Sequence, residues 1–375
     1  MVRQPLARAA RLLPFATRVV RWQRRHGRHD FPWQATRDAY PIWLSEIMLQ
    51  QTQAATVIAY FERFMEKFPT VRALASASED EVLALWSGLG YYARARNLHR
   101  AAREVVARHG ARFPTTFEAL LELPGVGRST AAAIAAFAGG ERRAILDGNV
   151  RRLLARHAGI SGDPSRSAVL ARLWSEAEAR LPPRAIERYT QGMMDLGAGV
   201  CLARRPACAS CPVAADCFAR LENRIAEIPV PRRRKAPERR RITMLAIVSR
   251  GEVLLEKRRS TGIWGGLWSL PEAAVWERPE AVLAREWGLR AERVEPLSAF
   301  EHAFTHFKLE VAPWRVDLRK RARIAPGKAA AWRSLRDLEA VALPAPVRRL
   351  LEAIASEPLT RARLPARAPA KGVLS

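Results

Sequence analysis

A proline-glycine turn in the middle of the chain is the strongest constraint on its fold. Residues 123 to 127 read Leu-Pro-Gly-Val-Gly and separate two segments whose apolar residues recur with helical spacing. Gly125 and Gly127 permit a tight turn and leave the backbone amides uncovered. Because the second segment starts at Arg128, its free amides and the positive end of its helix dipole face the turn. The stretch predicts a helix-hairpin-helix that can bind a phosphate.

A carboxylate follows this turn. Asp147 stands in a Leu-Asp-Gly-Asn turn directly before the apolar-periodic segment Val150 to Ala158, where it can lie beside whatever the hairpin binds. The residues alone leave an alternative open, in which Gly-Val-Gly only connects two helices and Asp147 only caps one.

Length and charge limit the number of domains and the class of partner that the chain can have. A chain of 375 residues can form two domains with ordinary cores. Lys and Arg number 63 against 37 Asp and Glu, a net charge of +26 that favours nucleic acid as the partner. No apolar run approaches the ~20 residues of a membrane-spanning helix, so we expect no membrane association. The Arg-rich N-terminus, free of acids before Asp30, predicts the basic face of a first helix, with a mitochondrial import signal as the alternative.

The spacing of apolar residues changes once along the chain. Helical spacing persists to about residue 220 and includes one long amphipathic segment from Leu44 to Phe68, which predicts an all-α domain. A Pro- and Arg-rich stretch, residues 221 to 240, is interpreted as a linker. Residues 241 to 355 contain short β-rich runs around a turn at Arg250, and a helical segment from Pro279 to Gly288, which predicts a smaller α+β domain. Residues 356 to 375 are expected to form a disordered tail.

The chain has four cysteines, Cys201, Cys208, Cys211 and Cys217, in the pattern C-x6-C-x2-C-x5-C. Four thiolates this close in sequence can enclose one metal centre, and their spacing fits either a tetrahedral zinc or a cluster of four irons and four sulfides. Two disulfides are a third possibility, but a chain without a secretory segment is expected to keep its thiols reduced.

Together these motifs resemble the helix-hairpin-helix DNA glycosylases with an iron-sulfur cluster, a family that includes endonuclease III. The resemblance covers residues 12 to 220, in which LPGVGRSTAAAI, LDGNV and the cysteine loop 201 to 217 follow the family's order. It implies a mainly α glycosylase domain and one 4Fe-4S cluster, rather than zinc, on the four cysteines. It also implies DNA contacts by the hairpin residues Leu123, Gly125, Val126 and Gly127.

Within that family the chain is most similar to the MutY adenine DNA glycosylases. Three stretches carry the similarity: WLSEIMLQQTQ from Trp43, GLGYYARARN from Gly88 and QGMMDLG from Gln191. Ser129 stands where related enzymes that also cut the strand have a nucleophilic lysine, and a serine cannot form a Schiff base with the sugar. The resemblance implies a monofunctional enzyme that removes adenine opposite 8-oxoguanine or guanine from double-stranded DNA, which prevents G:C to T:A transversions.

The resemblance also assigns roles to single residues. Glu46, on an apolar helix start, is expected to stay protonated and to donate its proton to N7 of the departing adenine. Asp147 would remain ionised and stabilise or trap an oxocarbenium-like sugar, while Asn149 would position water or the phosphate. The base must be flipped out of the duplex to react. The expected adenine-pocket residues are Trp33, Gln191 and Ser129, and those contacting DNA around the flipped base are Gln51, Thr52, Leu89 and Tyr91.

Four of these residues have a structural alternative. Glu46 could be a salt-bridged surface residue. Trp33, Leu89 and Tyr91 could be ordinary core residues.

The second domain resembles the Nudix fold of MutT pyrophosphohydrolases. Gly266 and Glu272 match the start of the Nudix motif, but Arg285 replaces a carboxylate, so the acidic face that would hold magnesium is missing and we expect no nucleotide hydrolysis. MutY enzymes use this domain to recognise 8-oxoguanine. The resemblance assigns that role to Phe304, Thr305 and His306, with a β-turn around a buried Phe304 as the alternative.

Two other functions remain open at this point. One is a bifunctional pyrimidine glycosylase and lyase of the endonuclease III type, which Ser129 disfavours. The other is a catalytically silent DNA-binding module with a redox-sensing cluster, which Glu46 and Asp147 disfavour. We expect a monomer in the cytoplasm, associated with the nucleoid, with replication or mismatch-repair proteins as possible partners.

Overall fold

The structure is a computed structural model that describes residues 12–230, 237–304, 307–321, 323–324 and 327–356. The chain divides between Ala236 and Pro237 into two compact units. The first unit is helical and the second is built on a sheet, which confirms the predicted fold classes. Three predictions fall wholly or mainly outside the described residues: the import signal, the roles of Thr305 and His306, and the disordered tail.

Helices make up most of the first unit, beginning with the expected basic helix. In chain order they are α1 (Phe15–His26), α2 (Ala39–Leu49), α3 (Ala54–Lys67), α4 (Val71–Ser76), α5 (Glu79–Trp86), α6 (Ala93–His109), α7 (Phe117–Leu121), α8 (Arg128–Gly139), α9 (Gly148–Ala158), α10 (Ser167–Ala179), α11 (Ile186–Asp195) and α12 (Phe218–Leu221). A 3-10 turn (Pro32–Gln34) precedes α2, and a π-helical turn (Leu196–Val200) continues α11. None of the helices in the described ranges has the length and apolar character needed to cross a membrane.

Residue type determines where several of these helices begin and end. Ser78 and Glu81 form a reciprocal capping box at the start of α5. Asp38 and Asp147 accept amide hydrogen bonds at the starts of α2 and α9. Gly110 ends α6 with a φ of 58°, a left-handed conformation that glycine adopts without strain.

The amphipathic segment from Leu44 to Phe68 is two helices rather than one. Helix α2 ends at Leu49 and α3 begins at Ala54, and between them Gln51 has a φ of 60°. A residue in the left-handed region cannot continue a right-handed helix. The sequence does not predict this break, because residues 49 to 54 contain no glycine or proline.

The core beside the site lies where α2 and α11 both pack on α8. Residues 131 to 136 of α8, five alanines and one isoleucine, are all fully buried. Small side chains along this stretch allow the neighbouring helices to approach closely. The helix that follows the hairpin is therefore the central element of the unit.

The linker predicted at residues 221 to 240 is shorter in the structure. Ile228 is 1% exposed in the core of the first unit, and its carbonyl accepts a hydrogen bond from Arg156 Nε at 2.9 Å. At the other end, the first strand already begins at Glu238. Ile225 and Ile228, large apolar residues before the Arg-rich run, were the available signal for the longer first domain.

In its described residues, the second unit contains one mixed sheet and two helices. Its elements are β1 (Glu238–Ser249), β2 (Glu252–Lys257), β3 (Trp268–Ser269), β4 (Glu272–Ala273), α13 (Pro279–Trp287), β5 (Arg293–Pro296), β6 (Phe300–Ala303), β7 (Phe307–Asp317), β8 (Ala330–Ser334) and α14 (Ala345–Ser356). The strand order is β3-β2-β1-β7-β5, with β4 on β1, β6 on β7 and β8 on β2. Strands β1 and β7 are parallel, and the other pairs are antiparallel. The predicted hairpin turn is confirmed, with positive φ at Arg250 (51°) and Gly251 (79°) as a two-residue turn requires.

Candidate active site

A cavity of about 330 Å³ in the first unit is lined by the 3-10 turn after α1 and by residues of α2 and α11. Its size is within the range of small-molecule sites, ~300–1,000 Å³. Trp33 stacks on Phe31 with ring centroids 4.9 Å apart, and both rings line the cavity. Glu46 from α2 and Gln191 from α11 supply polar groups to the same cavity. Three residues predicted for the site therefore meet here.

Trp33 serves both the cavity and the core. It is 7% exposed, and its ring also packs edge-on against Phe61 at 5.4 Å. The core interpretation and the pocket interpretation of this residue are therefore compatible.

Glu46 has the properties of a proton donor. Burial, with a smaller contribution from the negative charge of Asp147, raises the pKa of its carboxyl to about 8. Within the described residues Glu46 forms no ion pair, so it is not the salt-bridged surface residue of the alternative interpretation. The carboxyl is mostly protonated at neutral pH.

Asp147 caps α9 and also lies close enough to act on Glu46. Its Oδ1 accepts hydrogen bonds from the amides of Asn149 (2.6 Å) and Val150 (3.1 Å), so the cap interpretation is correct. Its charge contributes to the raised pKa of Glu46. Asp147 therefore caps α9 and also acts on Glu46. Both cap hydrogen bonds end on Oδ1.

Arg152 holds the side chain of Asn149, and sequence reasoning missed it. Its Nη2 donates to Asn149 Oδ1 (2.9 Å) and to the Gly197 carbonyl (2.6 Å), and its Nε donates to the Cys201 carbonyl (2.7 Å). The backbone at Gly197 packs directly on Asn149, where an added Cβ would lie 2.8 Å from the asparagine Cβ. One arginine thus joins the start of α9 to the first cysteine.

Ser129 lies near the Asp147 turn. Its Oγ accepts a hydrogen bond from the amide of Leu146 at 2.9 Å. The residues that line the cavity in the described part of the chain do not include Ser129, so its position differs from the predicted place in the adenine pocket. The hydroxyl instead holds the segment before α9 against the start of α8.

Two exposed residues with left-handed backbone stand in the segments expected to contact DNA. Gln51 has a φ of 60° and Tyr91 a φ of 49°, and Tyr91 is 50% exposed. Non-glycine residues in this region cluster at functional sites, because the surrounding structure must hold them there. Leu89, in contrast, is 6% exposed. The core interpretation therefore holds for Leu89 and fails for Tyr91.

Arg94 joins these two segments, a role that its place in the sequence does not reveal. Its Nη2 donates to Thr52 Oγ1 (3.1 Å) and to the Leu89 carbonyl (3.2 Å), while its Nη1 donates to carbonyls at the end of α2. Desolvation lowers its pKa to about 10, which leaves the side chain charged at neutral pH. One guanidinium therefore positions Gln51 and Tyr91 relative to each other.

The hairpin turn has the predicted geometry. Gly125 has a φ of 80°, and an added Cβ would lie 2.8 Å from Asn97 Cβ, so only glycine fits. Gly127 precedes α8 without a side-chain cap, which leaves the first amides of that helix available. Leu123 and Val126 are 3% and 7% exposed, so their side chains anchor the turn in the core.

The four cysteines, Cys201, Cys208, Cys211 and Cys217, line one pocket. All four are free thiols, so the disulfide alternative is wrong for this structure. Arg156, which is buried, has its Nη1 3.5 Å from Cys201 Sγ. Burial is the main cause that raises the pKa of Cys211 to about 11.

No three His, Cys, Asp or Glu side chains in the described ranges are spaced for a single metal ion. The donor set itself, four thiols at one pocket, suits a metal centre.

Aromatic side chains in the second unit cluster around Phe304. This ring stacks on Phe307 with centroids 4.4 Å apart, and it lies 5.7 Å from Trp264 and 4.7 Å from His302. Phe304 is half-buried. The cluster therefore offers partly accessible ring surface at Phe304, one of the predicted lesion-recognition residues.

Arginines pair with the carboxylates in and around the Nudix-like stretch of the second unit. Arg258 forms an ion pair with Glu272, and Arg285 pairs with Glu277 and Glu286. These carboxylates bind arginine in the structure, an arrangement different from the acidic face that holds magnesium.

Family models match both units. Residues 44–179 match the HhH-GPD superfamily base excision DNA repair protein, and residues 243–353 match the NUDIX domain. The two matches lie on the two compact units of the structure.

Known proteins match most of the chain. The adenine DNA glycosylase of Buchnera aphidicola subsp. Acyrthosiphon pisum is 34% identical over 345 residues, which cover 90% of this chain and 97% of that protein. The human adenine DNA glycosylase is 34% identical, with 80% of this chain and 66% of that protein covered. The structure of a thermostable thymine-DNA glycosylase superposes with a TM-score of 0.51 and 30% identity over 56% of this chain and 95% of that one. The chain therefore belongs to the adenine DNA glycosylase family.

Proposed function

We propose that this protein hydrolyses the N-glycosidic bond of adenine mispaired with 8-oxoguanine or guanine in double-stranded DNA and leaves an abasic site. The observation that carries the proposal is the relationship between two carboxyls, Glu46 at the cavity and Asp147 close enough to raise its pKa. Membership of the adenine DNA glycosylase family supports the identity of the base. Removal of this adenine prevents G:C to T:A transversions.

The two carboxyls divide the chemistry between them. Adenine is a poor leaving group, and protonated Glu46 donates its proton to N7. Asp147 stabilises the positive charge that develops on the sugar, or traps it covalently. Asn149, held by Arg152, positions water or the phosphate. Ser129 supplies no amine for a Schiff base, so the strand stays intact.

Several exposed or backbone groups contact the DNA. Gln51 and Tyr91 fill the space that the flipped adenine leaves in the duplex. Thr52 and Leu89 contact the opposite base, as the resemblance to MutY enzymes implies. The free amides at the start of α8 bind a backbone phosphate.

One 4Fe-4S cluster is proposed on Cys201, Cys208, Cys211 and Cys217. Four free thiols at one pocket support it, as does Arg156, whose Nη1 faces the sulfur of Cys201. When bound, the cluster cross-links the loop 201–217, which Arg152 connects to Asn149.

The second domain recognises the base opposite adenine. Phe304, with Thr305 and His306, contacts 8-oxoguanine, and the aromatic cluster around Phe304 supports this role. A monomer acting in the cytoplasm at the nucleoid, in contact with replication or mismatch-repair proteins, remains a prediction.

Labelled duplexes with adenine opposite 8-oxoguanine test this function. They are incubated with the purified protein, and half of each sample is then treated with alkali, which cuts the strand at abasic sites. We expect cleavage only after alkali. Cleavage without alkali would support the bifunctional lyase, and intact DNA after long incubation with excess protein would support the silent binding module.

A further inference from the structure

The cavity wall contains a side-chain amide whose orientation is fixed. Gln191 and Asp195 stand four residues apart on α11, so their side chains lie on the same face of the helix. Gln191 Nε2 donates to Asp195 Oδ1 at 2.8 Å. Asp195 is 4% exposed and also accepts from the Arg28 backbone amide (3.0 Å) and from Arg28 Nε (2.7 Å).

Asp195 determines which end of the amide faces the cavity. A carboxylate paired with Arg28 only accepts hydrogen bonds, so Gln191 must turn its NH2 group toward it. The amide oxygen of Gln191 is then the end that does not contact Asp195, and no group among the described residues donates a hydrogen bond to it. Because Gln191 lines the cavity, this wall presents an acceptor to a bound base.

We propose that Asp195 is a positioning residue that makes the cavity selective for a 6-aminopurine by locking the oxygen of Gln191 toward the base. The inference rests on the proposed function. Adenine carries a donor amine at C6, whereas guanine carries a carbonyl acceptor there. A locked oxygen accepts a hydrogen bond from the C6 amine of adenine. Opposite the C6 carbonyl of guanine, two acceptors would face each other without a donor, which a buried site tolerates poorly. A glutamine free to rotate would bind either group, since half a turn exchanges NH2 and oxygen.

Asp195→Asn tests the lock with almost no change in shape. An asparagine can donate as well as accept, so Gln191 becomes free to turn its NH2 toward the cavity. Single-turnover base release is measured with excess protein on duplexes that carry adenine or hypoxanthine, the 6-carbonyl analogue, opposite 8-oxoguanine. We expect the adenine-to-hypoxanthine rate ratio to fall ~10-fold or more relative to the unaltered chain. Comparison of the two proteins on the same duplexes cancels the intrinsic difference between the leaving groups.

A second substitution separates positioning from stability. In the double variant Asp195→Asn with Gln191→Glu, the new carboxylate accepts from the new amide and presents its other oxygen to the cavity. The rate ratio should therefore return toward that of the unaltered chain. An unchanged ratio in Asp195→Asn, however slow adenine release becomes, would overturn the proposal and leave Asp195 as a structural partner of Arg28.

The unaltered protein provides a test that does not depend on how the variants fold. Rates are normalised to the acid hydrolysis of each nucleoside. A locked oxygen predicts that purine, which has no substituent at C6, is released faster than hypoxanthine, and the reverse order would overturn the proposal. Failure of the proposed function looks different, because the unaltered chain would then release no adenine from any duplex.

Discussion

The charge of Asp147 raises the pKa of Glu46 across the active site. Burial of Glu46 contributes more, and together the two effects bring its pKa to about 8. Carboxyls in unequal environments can take different protonation states, as acid and electrostatic partner do in other glycosidic reactions. The folded chain thus provides a proton donor near neutral pH beside a second carboxyl.

Glu46→Gln should nearly abolish base release and preserve binding. Glutamine keeps the shape of the side chain but has no acidic proton, and loss of a general acid costs ~10²–10⁴-fold in rate. Single-turnover kinetics and gel-shift titration with mispaired duplex measure the two properties. Glu66→Gln, on the exposed part of α3, is the matched control and should retain full activity. Near-normal turnover in Glu46→Gln would remove Glu46 from the acid role.

The same substitution should stabilise the protein, and more so at higher pH. Between the ordinary value of 4.5 and about 8, folded Glu46 retains a proton that the unfolded chain releases, so the free energy of unfolding falls as pH rises through this window. Glu46→Gln removes that penalty, on the order of 4 kcal/mol at pH 8 and about 1 kcal/mol at pH 5. Urea unfolding at the two pH values measures it. An equal gain at both would contradict the raised pKa.

Arg94→Lys should weaken mispair binding and slow base release together. A lysine ammonium cannot reproduce a planar fork that reaches Thr52, Leu89 and the end of α2, so the segments with Gln51 and Tyr91 lose their common support. We expect a loss of ~10-fold or more in affinity for mispaired duplex. Equilibrium titration measures it. Arg103→Lys, on the exposed face of α6, is the control, and an equal effect there would contradict the role of Arg94.

Phe304→Ala should reduce the preference for 8-oxoguanine over guanine opposite adenine. The substitution removes the ring that stacks on Phe307 while Glu46 and Asp147 remain unchanged. The rate on adenine opposite guanine should therefore change little. Trp276→Ala is the control, because that aromatic side chain is 86% exposed in the same unit. A preference that survives Phe304→Ala would remove the cluster from lesion recognition.

Purified protein should contain four irons per chain and absorb visible light. Four free thiols at one pocket can hold a 4Fe-4S cluster. Metal analysis and an absorption spectrum of the same sample measure the two properties. A colourless protein with one zinc per chain would contradict the cluster.

Local chemistry explains what the sequence could predict. Gly125 requires a left-handed turn, Asp147 is a favoured helix cap, and Arg250-Gly251 is a hairpin turn, so each feature follows from its own residue type. Family motifs identified Glu46, Trp33 and Gln191 as site residues, and the fold brings these three to one cavity.

Other features depend on groups distant in sequence. The break at Gln51 carries no glycine or proline, and the Arg94 side chain that supports it comes from another helix. The hydrogen bond from Leu146 to Ser129 has no local signal either. Such contacts are set by packing, which spacing and residue type along the chain do not encode.

The sequence by itself therefore determined the two domains, the hairpin, the cysteine set and the chemical groups of the site. Only the tertiary structure decided how those groups behave. The pKa of Glu46 depends on burial and on Asp147. The orientation of the Gln191 side-chain amide depends on Asp195 and Arg28. The physical reason is that electrostatic environment and hydrogen-bond direction are properties of neighbours in space, and these neighbours exist only once the helices have packed.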